Sequence, residues 1–449
     1  MNAVLDSLSS FQTELEAAGR LYVAYSGGLD SHVLLHGLRQ LLGADRLSAI
    51  HVNHQLSPEA GHWASHCRAV CAGLGVDFIY SEIEVPVRAS RENAAREARY
   101  GVFERHLDEG DLLLMAHHAD DQAETILYRL MRRSGPRGLA GMPRSRPLGK
   151  GRLLRPLLSL DRNSLAAYAR TRELRWVEDA SNRSHQFDRN FLRHEIIPRL
   201  ARRWPNYATR IADAGGLCEQ AAQLNAHLAT LDLRTLNWRP ERLGWSLDIA
   251  PLTALDRARQ ANLLRHLATE LDEQPPGHRV IDQVLDHVLS AGTGRNPLVR
   301  WSGGQWRRFR QRLYLLPAQH LNIGLSGVGD AEFKRSWNPA EPLCLPDGAV
   351  LEATPGTGSG LMARLTGNLS IRHRSGGERC RPVGRAGSAG LKKLFQEYSL
   401  EPWLRDRVPL VYRGAELVAV GDLWVCEGFQ TGPHQPGWHL TWRYPKSGQ

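Results

Sequence analysis

Over the first 120 residues, four apolar runs start about 30 residues apart: LYVAY from Leu21, LSAIHVNH from Leu47, VDFIYSEIEV from Val76 and DLLLMAHH from Asp111. Helical patterns fill the gaps: SHVLLHGLRQLL, AGHWASHCRAVCAGLG and ASRENAAREARYGVFERHL. Parallel strands can be joined only through a crossover, usually a helix, and a sheet covered on both faces needs apolar residues along the whole strand. The alternation therefore predicts βαβ units and a parallel sheet, an α/β fold. In such sheets, ligands collect beyond the C-terminal ends of the strands.

A chain of 449 residues is too long for one core. Residues 134–160 are rich in Gly, Pro and Arg and read as a long basic loop. Helical patterns resume at Asp161, an N-cap candidate, and from about Asp188 to Arg203. Residues 211–290 read as mostly helical. Short strands punctuated by Trp, Gly and Pro follow over 295–360, as a junction. From Leu361 strands and turns surround one helix, AGLKKLFQEYSL. The expected division is a parallel-sheet nucleotide-binding domain over 1–210, a mostly helical domain over 211–325 and a small α+β domain over 360–449.

The formal net charge of +10 is unevenly spread: −9 over residues 1–128, +14 over 129–210, −1 over 211–360 and +6 over 361–449. Basic blocks of this kind read as surfaces for a phosphate backbone, or as plain solvated faces. No apolar run is long enough to cross a membrane, and the first residues carry neither a basic nor an apolar leader region. Six scattered cysteines include no C-x-x-C pair. A reducing cytoplasm is expected, without a disulfide or zinc frame.

The first run breaks into Ser26-Gly27-Gly28-Leu29-Asp30-Ser31, and a helix pattern starts at once. Glycines let backbone N–H groups converge, and a helix N-terminus adds partial positive charge. The two serines add hydroxyl donors. This is an anion nest, but neither a Walker A loop nor G-x-G-x-x-G.

SGGLDS resembles the pyrophosphate loop of the ATP pyrophosphatase (PP-loop) superfamily, whose Rossmann-like domains split ATP between the α and β phosphates. Further motifs follow in order: HVNHQLS from His51, ENAAREARY from Glu92, AHHADDQAET from Ala116, WVEDASN from Trp176 with RNFLRHEIIPRL from Arg189, and LKKLFQEYSLEPWLRDRVPLVYRGAELVAVGDLWVCEGF from Leu391. Together they resemble the tRNA(Ile)-lysidine synthetase family over nearly the whole chain. The resemblance implies an ATP-dependent ligase that joins the amine of free lysine to C2 of the wobble cytidine in a CAU anticodon. Lysidine forms through an adenylated tRNA, with AMP and pyrophosphate released. Codon reading changes from AUG to AUA, and tRNA identity from Met to Ile. One departure stands out: Arg132-Arg133-Ser134-Gly135 replaces the family's usual Arg-Gly-Ser-Gly.

The resemblance also implies roles. Ser26, Gly27, Gly28, Leu29, Asp30 and Ser31 would hold the leaving pyrophosphate, with Asp30 helping to bind Mg²⁺. A lysine amine, with an ordinary pKa of about 10.4, must lose a proton before it attacks. Asp121 and Glu124, three apart after the fourth run, are candidates to bind lysine or Mg²⁺, although acids also suit a helix N-terminus. Arg96, three residues before Arg99, is the candidate to stabilise charge on the adenylate. Arg183, Arg189, Arg193, Lys392, Lys393, Arg405 and Arg407 are candidates for tRNA contacts. His51, His54, His117 and His118 read as packing or hydrogen-bonding residues at strand ends rather than as a zinc site.

Two alternatives share part of this pattern. A tRNA-thiolating pyrophosphatase would favour paired reactive cysteines, whereas Cys67 and Cys71 are C-x-x-x-C. A tRNA-binding protein with a vestigial ATP site need not keep Ser26, Asp30, Asp121 and Glu124 together. A homodimer is left open.

Overall fold

The computed structural model describes residues 2–55, 59–83, 91–178, 188–271, 275–292, 295–318, 333–365 and 369–445. The chain divides into two compact units, 1–224 and 225–449.

The first unit is built on six strands: β1 Leu21–Ala24, β2 Leu47–Asn53, β3 Asp77–Glu82, β4 Leu112–Leu114, β5 Ser145–Leu148 and β6 Gly151–Leu154. Their order is β3-β2-β1-β4-β6-β5. Every neighbouring pair is parallel except β5 with β6. The four expected runs supply β1 to β4. The region read as a basic loop contains the β5–β6 hairpin. Its turn is Gly149-Lys150, with Gly149 at φ +56°. Arg146 and Arg152 on the strands, and Pro147 on the sheet edge, hide the apolar pattern.

Among the described residues, the helices of this unit include α1 Ala3–Ser9, α2 Gln12–Ala17, α3 Leu29–Leu42, α4 Ala60–Leu74, α5 Arg91–His106, α6 Ala119–Met131, α7 Pro136–Leu139 and α8 Arg162–Thr171, followed by the helical run Asp188–Arg203. Strand residues point alternately to the two faces. Leu21, Val23, Leu112 and Leu114 join α1, α3, α4 and α8 in one core, while Tyr22 and Leu113 join Tyr100 and Phe103 of α5, with Leu107 just after it, in the other. Each fully buried leucine contributes about 1.5–3 kcal/mol relative to exposure. After β1 the chain builds outward through β2 and β3, and β4 returns on the opposite side of β1. That reversal opens a crevice at the ends of β1 and β4.

The second unit contains the helices Ile249–Thr253, Arg257–Glu270 and His278–Gln283. They pack on a five-stranded antiparallel sheet of β7 Arg239–Pro240, β8 Trp245–Asp248, β9 Leu298–Trp301, β10 Gly304–Phe309 and β11 Arg312–Pro317. The segment read as a junction from 295 thus completes a core around the fully buried Trp306. Further on, a five-stranded and a four-stranded antiparallel sheet share a core with the helix Leu391–Glu397, centred on Phe395 and Trp442. Among the described residues, no helix is long and apolar enough to cross a membrane.

Candidate active site

The loop after β1 is shaped by its glycines. Gly27 sits at φ +84°, and a Cβ there would lie 2.7 Å from Cys67 Sγ and 3.1 Å from Val177. Gly28 is the N-cap of α3, with no side-chain cap on the helix start. The two serines lock the turn: their hydroxyls lie 3.1 Å apart, Ser31 Oγ donates to Gly28 O at 3.0 Å and accepts from Ser26 N–H at 3.3 Å. The first N–H groups of a helix have no intrahelical partner, so this one can present them to an anion.

Across the crevice, α6 starts just after β4. His118 is its N-cap and is 4% exposed. Its Nε2 lies 3.4 Å from Asp121 Oδ2 and 3.6 Å from Asp30 Oδ2, and its Nδ1 lies 3.5 Å from Asp120 Oδ2. Burial opposes protonation of this imidazole, but the carboxylates of Asp120, Asp30 and Asp121 outweigh it and push the group up to about 10. Burial also works against ionised Asp120. His118, the Tyr207 hydroxyl at 2.6 Å and the Arg162 N–H at 2.8 Å together hold it well below the usual carboxylate range.

One turn further along α6, Glu124 is buried, which raises its pKa against the opposing pull of Arg193. Arg193 lies 2.7 Å from Glu124 Oε2 and 3.4 Å from Asp121 Oδ1. Asp30, His118, Asp121, Glu124 and Arg193 therefore form one charged chain running from the loop into α6. It brings together carboxylates able to hold a cation and a nest able to hold an anion.

Three regions match known family models: residues 2–200 a PP-loop domain, 247–314 a TilS substrate binding domain and 369–442 a TilS substrate C-terminal domain. The chain is 39% identical over 447 residues to the tRNA(Ile)-lysidine synthase of Coxiella burnetii, covering 98% of this chain and 97% of that one. It is 41% identical over 444 residues to the enzyme of the same name from Alkalilimnicola ehrlichii, covering 97% and 96%. With that of Pseudomonas aeruginosa it shares 41% identity over 442 residues, covering 95% and 94%. The chain belongs to the tRNA(Ile)-lysidine synthase family.

The Arg132-Arg133-Ser134-Gly135 segment closes α6. Arg133 follows the C-cap of α6 at φ +59°. Its N–H donates to Leu130 O at 3.0 Å and the Ser134 N–H to Arg129 O at 3.1 Å. This is a Schellman ending, whose left-handed position favours glycine.

The remaining expected residues are spread more widely. Arg96 is not part of the charged chain; its Nη2 donates to Tyr100 Oη at 3.2 Å. Arg189 lies over the Tyr128 ring at 5.4 Å. Arg183 lies outside the described residues. In the second unit, Lys392 and Lys393 are exposed, Lys393 being 4.0 Å from Glu397. Arg405 donates to Leu400 O, and Arg407 is buried beside Asp347 at 3.8 Å. Cys67 and Cys71 are fully buried behind the loop, and burial pushes both thiols up to about 12. Such thiols are inert, unlike those of a sulfur-transfer site.

The sequence reading missed His118 as the hub of the carboxylates, and Tyr207 as a partner of Asp120. His118 could have been suspected from its place directly before an acidic helix start. Asp30 Oδ1 is buried without a hydrogen-bond partner. Among the described residues, no group of three or more His, Cys, Asp or Glu is arranged to hold a metal ion. A single open carboxylate suits Mg²⁺ that arrives on phosphates, since that ion commonly takes one or two protein carboxylates.

Proposed function

We propose that this chain carries out the reaction its family is named for, joining L-lysine to C2 of the wobble cytidine of a CAU-anticodon tRNA(Ile). The observation that carries the reading is the meeting of the Ser26–Ser31 nest with Asp30, Asp121 and Glu124 at the reversal point between β1 and β4. In the first step the cytidine O2 attacks the α-phosphorus of ATP, and pyrophosphate leaves into the backbone N–H groups at the start of α3. In the second, the lysine nitrogen attacks C2, the bond from C2 to the adenylated oxygen breaks, and AMP departs. Magnesium, when bound, neutralises phosphate charge, with Asp30 as its protein ligand. Asp121 and Glu124 hold the lysine ammonium, and one of them accepts its proton before attack. Burial raises the proton affinity of the Glu124 carboxylate, which suits it to take that proton.

The division of labour follows the chain. Residues 1–210 adenylate and transfer, while 211–325 and 360–449 grip the tRNA, with Lys392 and Lys393 on the outer face of the helix Leu391–Glu397 and Arg189 in the first part. The compartment is the cytoplasm.

The test uses radiolabelled lysine, ATP, Mg²⁺ and tRNA from cells lacking the modification. The expected result is ATP-dependent label on RNA that survives mild alkaline deacylation, which removes an aminoacyl ester but spares lysine bonded to a base. Label lost on deacylation, or no label with intact tRNA and an active control enzyme, would overturn the reading.

A further inference from the structure

Several basic side chains of the first unit gather away from the charged chain just described. Arg96 on α5 and Arg146 on β5 lie 5.0 Å and 5.1 Å from the centre of the Tyr100 ring. Arg155, directly after β6, is 2% exposed; it donates through Nε to His117 Nδ1 at 3.2 Å and through Nη1 to Pro143 O at 2.7 Å. Arg99 keeps a buried Nε without a hydrogen-bond partner. Among the ion pairs between described residues, none includes Arg96, Arg99, Arg146 or Arg155.

The crowding of cations leaves its mark on the neighbours. Burial, then the nearby guanidiniums of Arg155, Arg96 and Arg99, holds His117 down near 3. Burial and Arg99 bring His54 to about 4. Burial opposes ionisation of the Tyr100 phenol, yet Arg96, Arg155 and Arg146 pull it below its usual value. Like charges packed this closely repel one another, and an anion would relieve them.

There is room for one. A cavity of about 330 Å³ is lined by Arg96, Tyr100 and Arg146 together with Glu97 and Glu104, whose carboxylates are exposed to solvent. β5, which carries Arg146, is the edge strand three places from β1. At about 4.8 Å per strand the β5 backbone lies on the order of 14 Å from that of β1, so a nucleotide analogue and an RNA are the two ligands to compare. Guanidiniums are suited to phosphate oxygens, which they can grip through two parallel hydrogen bonds.

We propose that Arg96 and Arg146, gathered on Tyr100 in front of the buried Arg155, form a phosphodiester subsite that holds the RNA backbone while the wobble base is presented to the crevice. The proposal rests on the tRNA reading above. Tyr100 is the positioning residue, Arg155 adds positive charge from behind, and the guanidiniums of Arg96 and Arg146 make the contact.

The test compares the full chain with Arg146→Ala in equilibrium binding of a tRNA(Ile) transcript across a salt series, and separately in binding of a non-hydrolysable ATP analogue. Wild-type binding of the transcript tests the functional reading; the difference between variant and wild type tests the subsite. The variant is expected to bind RNA about 5- to 10-fold more weakly, with a salt slope shallower by about 1, and to bind the analogue as the wild type does. Loss of analogue binding with unchanged RNA affinity would move the cluster to the nucleotide site and overturn the proposal. Unchanged binding of both would make it a structural cluster and overturn it equally. Should Arg146→Ala not fold, Arg146→Gln gives the same comparison with a polar side chain kept on the half-buried strand.

Discussion

Arg193 places one guanidinium nitrogen 2.7 Å from Glu124 and 3.4 Å from Asp121, tying residues about 70 positions apart in sequence into one ion-paired group. The pair is unequal. Glu124 is 7% exposed at the side chain and Arg193 41%. Breaking a fully buried pair costs about 3–5 kcal/mol, and solvent reduces that here. Arg193→Ala is expected to destabilise the first unit by about 1–2 kcal/mol in urea unfolding. Glu124→Gln in the same background should recover much of the loss, because no buried charge is then stranded. A double-mutant cycle with strictly additive effects would show that the two side chains do not interact in solution.

Gly27 ties the loop to its backing. Its φ of +84° costs any other L-residue about 1–2 kcal/mol, and a Cβ would meet Cys67 Sγ at 2.7 Å. Cys67 is fully buried. Gly27→Ala should therefore shift the nest rather than unfold the chain. A misplacement of about 1 Å in a positioned site can cost about 100-fold in rate. Pyrophosphate release that depends on tRNA should fall by about that factor, with a loss of only a few degrees in Tm. Release within a few-fold of wild type would remove this loop from the role of pyrophosphate cradle.

How much of this was legible depends on whether the signal was local. The nest was readable because six consecutive residues carry it, and β1 to β4 were readable because buried strands are apolar throughout. The contact between Asp30 and His118 was not, since it exists only because β4 lies beside β1, and strand order is not written in either segment. Helical spacing put Arg189 and Arg193 near one face and suggested phosphate. It could not say that Arg193 turns to carboxylates while Arg189 lies on Tyr128. The β5–β6 hairpin was masked by arginines at positions where a strand normally shows its pattern.

His118 predicts an alkaline weakness. In protein free of nucleotide and magnesium, its folded-state value of about 10 lies above the ordinary 6.5. The ion pairs to Asp30, Asp120 and Asp121 then stabilise the fold fully below about pH 6.5, and the contribution drains as pH rises toward 10. The urea midpoint of the wild type should fall between pH 7 and pH 10. His118→Gln should start lower at pH 7 and fall less over the same interval. Parallel pH profiles for the two proteins would show that His118 is not held protonated by these acids.

Arg133 stands in the left-handed position that ends α6, a position that favours glycine. The Schellman hydrogen bonds form all the same, so the surroundings hold the residue in a conformation it disfavours. Glycine removes the strain, worth about 1–2 kcal/mol, but regains some entropy in the unfolded chain, worth about 0.5–1 kcal/mol. Arg133→Gly should therefore stabilise the first unit by up to about 1 kcal/mol in urea unfolding, whereas Arg133→Ala, which keeps the Cβ, should not. The two variants remove the same charge. Any loss of tRNA affinity common to both reports the missing cation, and any difference between them reports the shape of the turn. Equal stability of the two variants would show that the turn carries no strain for glycine to relieve.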